Sequence, residues 1–248
     1  PVAVSAYTRD VVIEEAAAID ARHGTDFAEQ CRRRISISYP AIDTSSWLAL
    51  DPAETERVLA RHGLVAGRYV LSLSRLMPAK GIDDLIAGFS TSDAAKGLDL
   101  AIVGRGPSEA DLRAVAAASP AASRIHFLTD VSDAEKPHIM SASAAYVLAT
   151  KPTEQFVETF GITLVESMLA GGGPVITTDC GGTLEAVGDT AIIVEAGSSA
   201  AIATALDEAL SMSESELAAH AVRARAYAMR FDRLAVFDHL FERVLQPA

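Results

Sequence analysis

The chain contains 248 residues, of which 50% are hydrophobic and 22% are charged, a balance that supports a buried core and excludes global disorder. Its formal net charge of −12 excludes the broad basic surface that nucleic-acid binding requires. No apolar run reaches the roughly 18 residues of a membrane span, and the sequence shows no signal peptide. Cys31 and Cys180 stand far apart and outside any metal-binding spacing, so we expect a cytoplasmic protein.

The beginning of the chain predicts a strand–helix–strand unit. The run VAVS, a helical stretch over residues 8–22 and the run ISISYP follow one another. The arginines at positions 32–34 precede the second strand, and we expect them to form a solvated edge. Residues 40–52, bounded by two prolines, predict a connector. Because the chain opens on strand residues without an initiator methionine, we expect upstream sequence that is absent here.

From Tyr69 onward, short apolar runs alternate with helical stretches. The predicted strands are YVLSLS, LDLAIVG, RIHFL, AAYVLAT, PVITTD and AIIVEA. The predicted helices span residues 81–90, 107–118, 134–142, 161–170 and 183–187. Continuous apolar strands separated by helices are typical of a parallel sheet that is buried on both faces. The sequence therefore predicts an α/β fold with a doubly wound parallel Rossmann-like sheet.

After Glu195 the pattern is helical, over residues 198–212, 213–230 and 232–245. Asp232 is a good N-cap for the last helix. The apolar residues of this helix recur at helical spacing and predict packing; they are Leu234, Val236, Phe237, Leu240, Phe241 and Val244. We therefore divide the chain into the tail of a preceding α/β domain with its linker (1–42), a Rossmann-like domain (43–230) and a C-terminal helix (231–248).

The loop after the first strand of the Rossmann-like sheet carries the first candidate site, because ligands of such sheets bind beyond the carboxyl ends of the strands. Arg75 and Lys80 lie five residues apart in this loop. Two converging cations suit a polyanion, and at contact range they outweigh distant, screened acids. The alternative, that both are exposed surface cations without a ligand, stays open at this point.

The helix predicted to begin near residue 161 carries the second candidate site. An anion is favoured at its N-terminus by the free backbone N–H groups and the helix dipole. These N–H groups belong to Phe160, Gly161, Ile162 and Thr163. Glu158 precedes the helix and Glu166 lies in its second turn, so the two carboxylates can flank a phosphate and accept sugar hydroxyls. Alternatively, Glu158 only complements the dipole and Glu166 lies on a solvated face.

Two further strand ends complete the predicted crevice. Asp130 and Val131 lie where backbone groups can read a flat ring edge, and Asp133 is predicted to cap the following helix. Gly181 and Gly182 predict a flexible lip beside the same crevice. The sequence has no Asp-x-Asp at a strand end and no His or Cys cluster, so we expect no metal site.

Together these motifs resemble the C-terminal domain of a GT-B fold, family 4 retaining glycosyltransferase. The matching pieces, in the family's order, are SRLMPAKGIDDLI, LAIVGRGP, FLTDVSDAE, ETFGITLVESMLAGGGPVITTDCGG and LEAVGD. The early VAVSAYTRD and ISYPAID resemble the end of that family's N-terminal, acceptor-side domain. The eight-residue spacing from Glu158 to Glu166, combined with the Arg75 and Lys80 loop, is the specific part. Ser74 departs from the glycine that often precedes the arginine in this family.

The resemblance implies a role for each candidate residue. Arg75 and Lys80 would bind the donor diphosphate, and the helix start from Phe160 through Gly161 and Ile162 to Thr163 would bind the phosphates and the sugar. Glu158 would contact the transferred sugar and is the expected catalytic residue. Glu166 would bind the ribose hydroxyls, and the Val131 backbone would meet the base.

The implied activity is the transfer of a hexosyl group, of the glucose or N-acetylglucosamine type, from a nucleoside-diphosphate sugar that we expect to be UDP-linked. The acceptor would be a small molecule or glycan, and KPTEQFVETFGI with GGGPVITT resembles transferases that glycosylate the aminocyclitol 2-deoxystreptamine in antibiotic biosynthesis. No cofactor or metal is implied. Because the acceptor-side N-terminal domain is missing, we expect this chain to bind the donor better than it catalyses transfer.

Two alternatives remain at this level. One is a nucleotide-sugar epimerase of the same GT-B architecture, which the spacing of the two glutamates disfavours. The other is a non-catalytic nucleotide-sugar binding module, which the missing N-terminal half leaves open.

Overall fold

The computed structural model describes residues 1–245, and the side chains of residues 1–242. The chain opens with strand β1 (Val2–Ala3), helices α1 (Ala6–His23) and α2 (Phe27–Arg34), and strand β2 (Ser36–Ile37). β1 and β2 pair in parallel as a two-stranded sheet. The sequence pattern did not predict α2, whose last turn carries the three arginines; their predicted exposure is confirmed.

The predicted connector, residues 40–52, contains helix α3 (Ser45–Leu48) and ends where helix α4 (Pro52–Arg61) begins, so its description as a plain linker is wrong. The Asp51 carboxylate accepts a hydrogen bond from the backbone N–H of Ala53 at 3.0 Å, and Pro52 occupies the first helical turn. An aspartate followed by proline is a strong signal for a helix start, because it satisfies a free N–H and presets the backbone.

The six-stranded parallel sheet confirms the predicted fold class, and each strand bound differs from its prediction by at most two residues. The strands are β3 (Tyr69–Leu73), β4 (Asp99–Val103), β5 (Ile125–Leu128), β6 (Ala145–Leu148), β7 (Val175–Thr178) and β8 (Ala191–Val194). The helices that follow α4 are α5 (Ile82–Thr91), α6 (Glu109–Ala118), α7 (Lys136–Ser141), α8 (Ile162–Ala170), α9 (Thr183–Val187), α10 (Ser199–Leu210), α11 (Glu214–Ala228) and α12 (Arg233–Leu245).

Both faces of the sheet are buried, which explains why the strands are continuous apolar runs. Along β3, Tyr69, Leu71 and Leu73 face a core formed with α4, α7, α8, α9 and α11. The intervening Val70 faces the opposite core, formed with α5, α6 and α10. The period of two residues along each strand thus serves two separate hydrophobic layers.

The last helix follows Asp232, whose carboxylate accepts from the N–H of Leu234 at 2.9 Å, as expected of an N-cap. Leu234, Phe237 and Phe241 are each more than half exposed, so the prediction that these three pack is wrong within the described chain. The packing predicted for the Val244 side chain lies outside the described side chains, and residues 246–248 of the predicted C-terminal helix lie outside the described chain. The domain bounds at 42/43 and 230/231 stay predictions.

The carboxylate of Glu185 is one link between residues 1–42 and the helices that cover the large sheet. Glu185, on α9, accepts hydrogen bonds from the backbone N–H groups of Ala6 at 2.7 Å and Tyr7 at 2.9 Å. The hydroxyl of Tyr39 also donates to it at 3.0 Å. Because these N–H groups belong to the first turn of α1, Glu185 acts as the acid that complements that helix terminus.

The strand order, β5-β4-β3-β6-β7-β8, places the topological switch point between β3 and β6. From β3 the chain winds outward through β4 and β5, whereas from β6 it winds in the other direction through β7 and β8. The crossovers leave a crevice beyond the carboxyl ends of these two central strands, at Leu73 and Leu148. The loops that leave these two residues carry Arg75, Lys80 and Glu158.

Candidate functional site

A cleft of about 490 Å³ lies over the carboxyl ends of β3, β4 and β5, beside the first turn of α8. We call it the strand-end cleft. Its lining residues are Leu73, Ser74, Arg75, Val103, Gly104, Arg105, Leu128, Thr129, Asp130, Val131, Asp133, Lys136 and Thr163. Three residues predicted from different parts of the sequence, Arg75, Val131 and Thr163, therefore line one cavity.

The charged side chains that line the cleft differ in whether they form ion pairs or hydrogen bonds. Arg75 is exposed and, among the described residues, has no carboxylate within 4.0 Å. In contrast, Arg105 donates through Nε to the carbonyl of Thr129, and Lys136 pairs with Asp133 at 2.5 Å. Sequence reasoning missed Arg105 and Lys136 as part of this site. The forked donor of Arg75 is thus available to an anion in the cleft.

Lys80 and Glu158 form an ion pair outside the lining of the cleft. The Lys80 ammonium contacts Glu158 Oε2, and the two side chains are only 12% and 11% exposed. The Lys80 Nζ also lies 4.9 Å from the centroid of the Phe156 ring, and the Thr150 hydroxyl is 3.5 Å from Glu158 Oε2. An ammonium has three donors, so the pair leaves Lys80 able to bind a further acceptor.

Gly161 is the N-cap residue of α8. It has φ 87°, a left-handed conformation that favours glycine, and α8 begins at Ile162. The Phe160 side chain is buried and packs on Tyr39 and Phe231, at centroid distances of 5.6 and 5.1 Å. Phe160 can therefore offer a ligand only its backbone, whereas the backbone N–H groups of Ile162 and Thr163 make no hydrogen bond to another described residue.

The predicted flexible lip at Gly181 and Gly182 is instead tightly packed. A Cβ at Gly181 would overlap the carbonyl oxygen of Glu158, and one at Gly182 would overlap that of Thr159. The N–H of Gly182 donates to the Glu158 carbonyl at 2.8 Å. These glycines permit a close approach of two backbones, which fixes the position of Glu158.

Glu166 lies apart from the pair formed by Lys80 and Glu158. It is partly buried, and burial raises the pKa of its carboxyl to about 7. Lys136 opposes this rise of the pKa and Asp133 adds to it, so Glu166 interacts with two residues that line the strand-end cleft. The structure thus gives the two glutamates different surroundings.

The raised pKa of Glu166 predicts a pH-dependent stability. Because its folded-state value of about 7 lies above the usual 4.5, the ionised group destabilises the fold above about pH 4.5, and this effect is complete above pH 7. Glu166→Gln is expected to leave stability unchanged near pH 4.5 and to raise the free energy of unfolding by about 3 kcal/mol at pH 8. Urea unfolding at the two pH values measures this difference.

The matched control for this experiment is Glu56→Gln, at an exposed position of α4. It removes one carboxylate from the surface and is expected to change stability equally at both pH values. An equal effect of Glu166→Gln at both pH values would contradict the raised pKa.

The prediction that Asp133 caps the following helix is wrong. Helix α7 begins at Lys136, and the residue at its N-cap position is Glu135. Asp133 instead pairs with Lys136 on the wall of the cleft. The Ser132-x-x-Glu135 spacing, typical of a capping box, is the sequence signal for the contact between Ser132 and Glu135.

A second hollow, of about 470 Å³, lies between residues 77–79 and 153–156, in the loops that follow β3 and β6. An open hollow of about 630 Å³ lies between α1, α2 and β2, away from the switch point. Within residues 1–242, no group of three or more His, Cys, Asp and Glu side chains could hold a metal ion. No helix of residues 1–245 has the length and apolar character to cross a membrane.

Comparisons with known proteins identify the family and support the fold. The family model described as "Glycosyl transferases group 1" matches residues 60–228. A GDP-mannose-dependent alpha-(1-6)-phosphatidylinositol monomannoside mannosyltransferase of Mycobacterium tuberculosis is 32% identical over 191 residues, covering 74% of this chain and 49% of the relative. A 2-deoxystreptamine glucosyltransferase of Streptomyces kanamyceticus is 30% identical over 140 residues, which are 55% of this chain and 35% of the relative.

Among solved structures, HepE of Anabaena in complex with UDP and glucose superposes with a TM-score of 0.79 at 21% identity. The match covers 98% of this chain and 62% of the HepE chain, and at this identity it concerns the fold. The chain spans about half the length of the curated mannosyltransferase that it matches.

Proposed function

The chain belongs to the glycosyl transferases group 1 family, and from that premise we propose that it binds the nucleoside-diphosphate sugar of a retaining hexosyltransferase. The observation that carries this proposal is the convergence of Arg75, Val131 and Thr163 on the strand-end cleft, beside the N-terminus of α8. A cation and a helix terminus suit a diphosphate, and the neighbouring wall suits a base.

The proposed roles follow the surroundings of each residue. Arg75 and the first turn of α8 bind the diphosphate, with Lys80 contributing one of the donors that Glu158 leaves free. Glu158 contacts the transferred sugar, Glu166 the ribose hydroxyls and the Val131 backbone the base. The charge of the diphosphate is balanced by these cations and the helix dipole, so binding needs no metal.

The donor and acceptor are proposed in finer terms. We propose a UDP-linked hexose of the glucose or N-acetylglucosamine type, and an aminocyclitol or another small molecule or glycan as the acceptor. The structural neighbour holds UDP and glucose, and one relative is named a 2-deoxystreptamine glucosyltransferase. Guanosine is the base to compare with uridine, because the mycobacterial relative is named as GDP-mannose-dependent.

Replacing Arg75 with Ala tests the proposed site. The variant loses charged hydrogen bonds that contribute about 1.5–3 kcal/mol, so its affinity for the preferred nucleoside diphosphate is expected to fall about 10- to 100-fold. Calorimetric titration of UDP and of GDP, each with EDTA and with Mg²⁺, measures the affinity, the preferred base and the effect of metal.

Arg57→Ala is the control, because Arg57 is an exposed arginine of α4 outside the cleft lining. It lowers the net charge by the same amount and is expected to leave the affinity unchanged. If the unaltered chain binds neither nucleotide, the proposed function fails; if only Mg²⁺ restores binding, the metal-independent site fails.

A further inference from the structure

The loop of residues 129–132, which follows β5, forms one wall of the strand-end cleft through Thr129, Asp130 and Val131. Within the part of the chain that the structure describes, the backbone N–H and C=O groups of Asp130 and Val131 make no hydrogen bond to another protein group. Such groups are strong donors and acceptors that a ligand can satisfy. To bind the edge of a base, these backbone groups must be held in fixed positions by the loop.

One buried carboxylate fixes this loop. Glu135 Oε2 accepts from the Ser132 backbone N–H at 2.9 Å and from its hydroxyl at 2.7 Å. Glu135 Oε1 accepts from Arg61 at 2.9 Å and from His62 Nε2 at 3.3 Å. The hydrogen bonds from Ser132, first of its backbone and then of its side chain, lower the pKa of Glu135 to about 2, so it is ionised in any ordinary assay.

His62, at the end of α4, connects this carboxylate to the cleft wall. Its side chain is only 3% exposed, and its Nδ1 lies 3.9 Å from Asp130 Oδ1. The Asp130 side chain is 66% exposed and lines the cleft. Arg61 and His62 therefore hold one oxygen of Glu135, while the other oxygen holds the loop that lines the cleft.

We propose that Glu135, anchored by Arg61 and His62, is a positioning residue for recognition of the nucleoside part of the donor. The proposal rests on the function proposed above. Glu135 does not line the cleft; it acts by fixing Ser132 and hence the backbone of Asp130 and Val131. The diphosphate, in contrast, is bound by Arg75 and the start of α8, which Glu135 does not contact.

The test compares UDP and GDP with inorganic pyrophosphate, which presents a diphosphate without a nucleoside. Glu135→Ala is expected to bind the preferred nucleoside diphosphate about tenfold more weakly, because the backbone of Asp130 and Val131 no longer holds its hydrogen bonds to the base. Its affinity for pyrophosphate is expected to stay within about twofold of the unaltered chain. Isothermal titration calorimetry measures all three ligands. His62→Ala leaves the bonds from Ser132 to Glu135 in place. It is also expected to weaken binding of the nucleoside diphosphate more than binding of pyrophosphate.

The chain contains a matched control in α11. Ser213 and Glu216 form the same pair of contacts, with the Ser213 N–H and hydroxyl donating to Glu216 Oε2 at 2.8 and 2.7 Å, on an exposed surface away from the cleft. Glu216→Ala is expected to change no ligand affinity. The inference would be overturned if both Glu135→Ala and His62→Ala lowered the affinity for pyrophosphate as much as the affinity for nucleoside diphosphates. It would also be overturned if the affinity for nucleoside diphosphates did not change. Absence of nucleotide binding by the unaltered chain would overturn the proposed function itself.

Discussion

Replacing Lys80 with Ala is expected to destabilise the fold and to abolish tight binding of a nucleoside diphosphate. The Glu158 carboxylate, only 11% exposed, would lose its cation and stay buried and charged. Removing one partner of such a pair costs about 3–5 kcal/mol, which lowers the Tm of a chain of this size by about 10 °C. Thermal unfolding measures the stability and calorimetric titration measures the affinity.

The double variant Lys80→Ala, Glu158→Gln separates the two effects. Because glutamine carries no charge, it removes the unpaired carboxylate, and the double variant is expected to regain at least half of the lost stability. Its affinity is expected to stay as low as that of Lys80→Ala, because the donor to the diphosphate is still missing. Recovery of nucleotide affinity in the double variant would show that Lys80 only neutralises Glu158.

Lys151→Ala provides the comparison. Lys151 also pairs with acids, at 3.0 Å from Asp83 and 2.7 Å from Asp84, but its side chain is 26% exposed. A more solvated pair contributes about 0–1 kcal/mol to stability, so the Tm of this variant is expected to be close to that of the unaltered chain. A similar loss in both lysine variants would mean that burial of the Lys80 pair has no special effect.

The large sheet could be predicted because its physical signal is local. Each strand is a short apolar run that ends at a polar or glycine-rich loop. Because both faces of the sheet are buried, the strands are continuous apolar runs, which is the pattern of a parallel sheet. The helices α2, α3 and α4 were missed because none of them shows a sustained apolar repeat: α3 has only four residues, and α2 and α4 are rich in charged residues. For α4 alone, the Asp51-Pro52 pair gave a usable start signal.

The candidate site was only partly predictable. The rule that ligands bind beyond strand ends selected Arg75 and Val131, and the helix N-terminus selected Thr163. The fold brings these three to one cleft. The contact of Lys80 with Glu158 joins residues 78 positions apart, through two irregular loops, and no sequence period encodes it. The choice of Glu135 over Asp133 as the acid beside α7 depends on where that short helix begins.

The different surroundings of Glu158 and Glu166 predict opposite kinetic effects in the protein at its full encoded length. Glycosyl transfer passes through an oxocarbenium-like state, in which charge develops on the sugar while the ribose does not change. Glu158 is held by Lys80, Thr150 and the backbone contact with Gly182, next to the proposed sugar position. A fixed charge that faces the developing charge acts mainly in the transition state.

Glu158→Gln is therefore expected to lower kcat by about 10²–10³-fold and to change KM for the donor by less than about threefold. Glu166→Gln is expected to raise KM about tenfold with kcat within about threefold, because ribose contacts are shared by the ground and transition states. Steady-state kinetics with varied donor measures both. Ser132→Ala, in the loop of residues 129–132, controls for indirect disturbance of the cleft and is expected to affect KM alone. If Glu166→Gln lowers kcat at constant KM while Glu158→Gln raises KM alone, the roles of the two glutamates are reversed, and the sugar lies beside Lys136 and Asp133, where the pKa of Glu166 is raised.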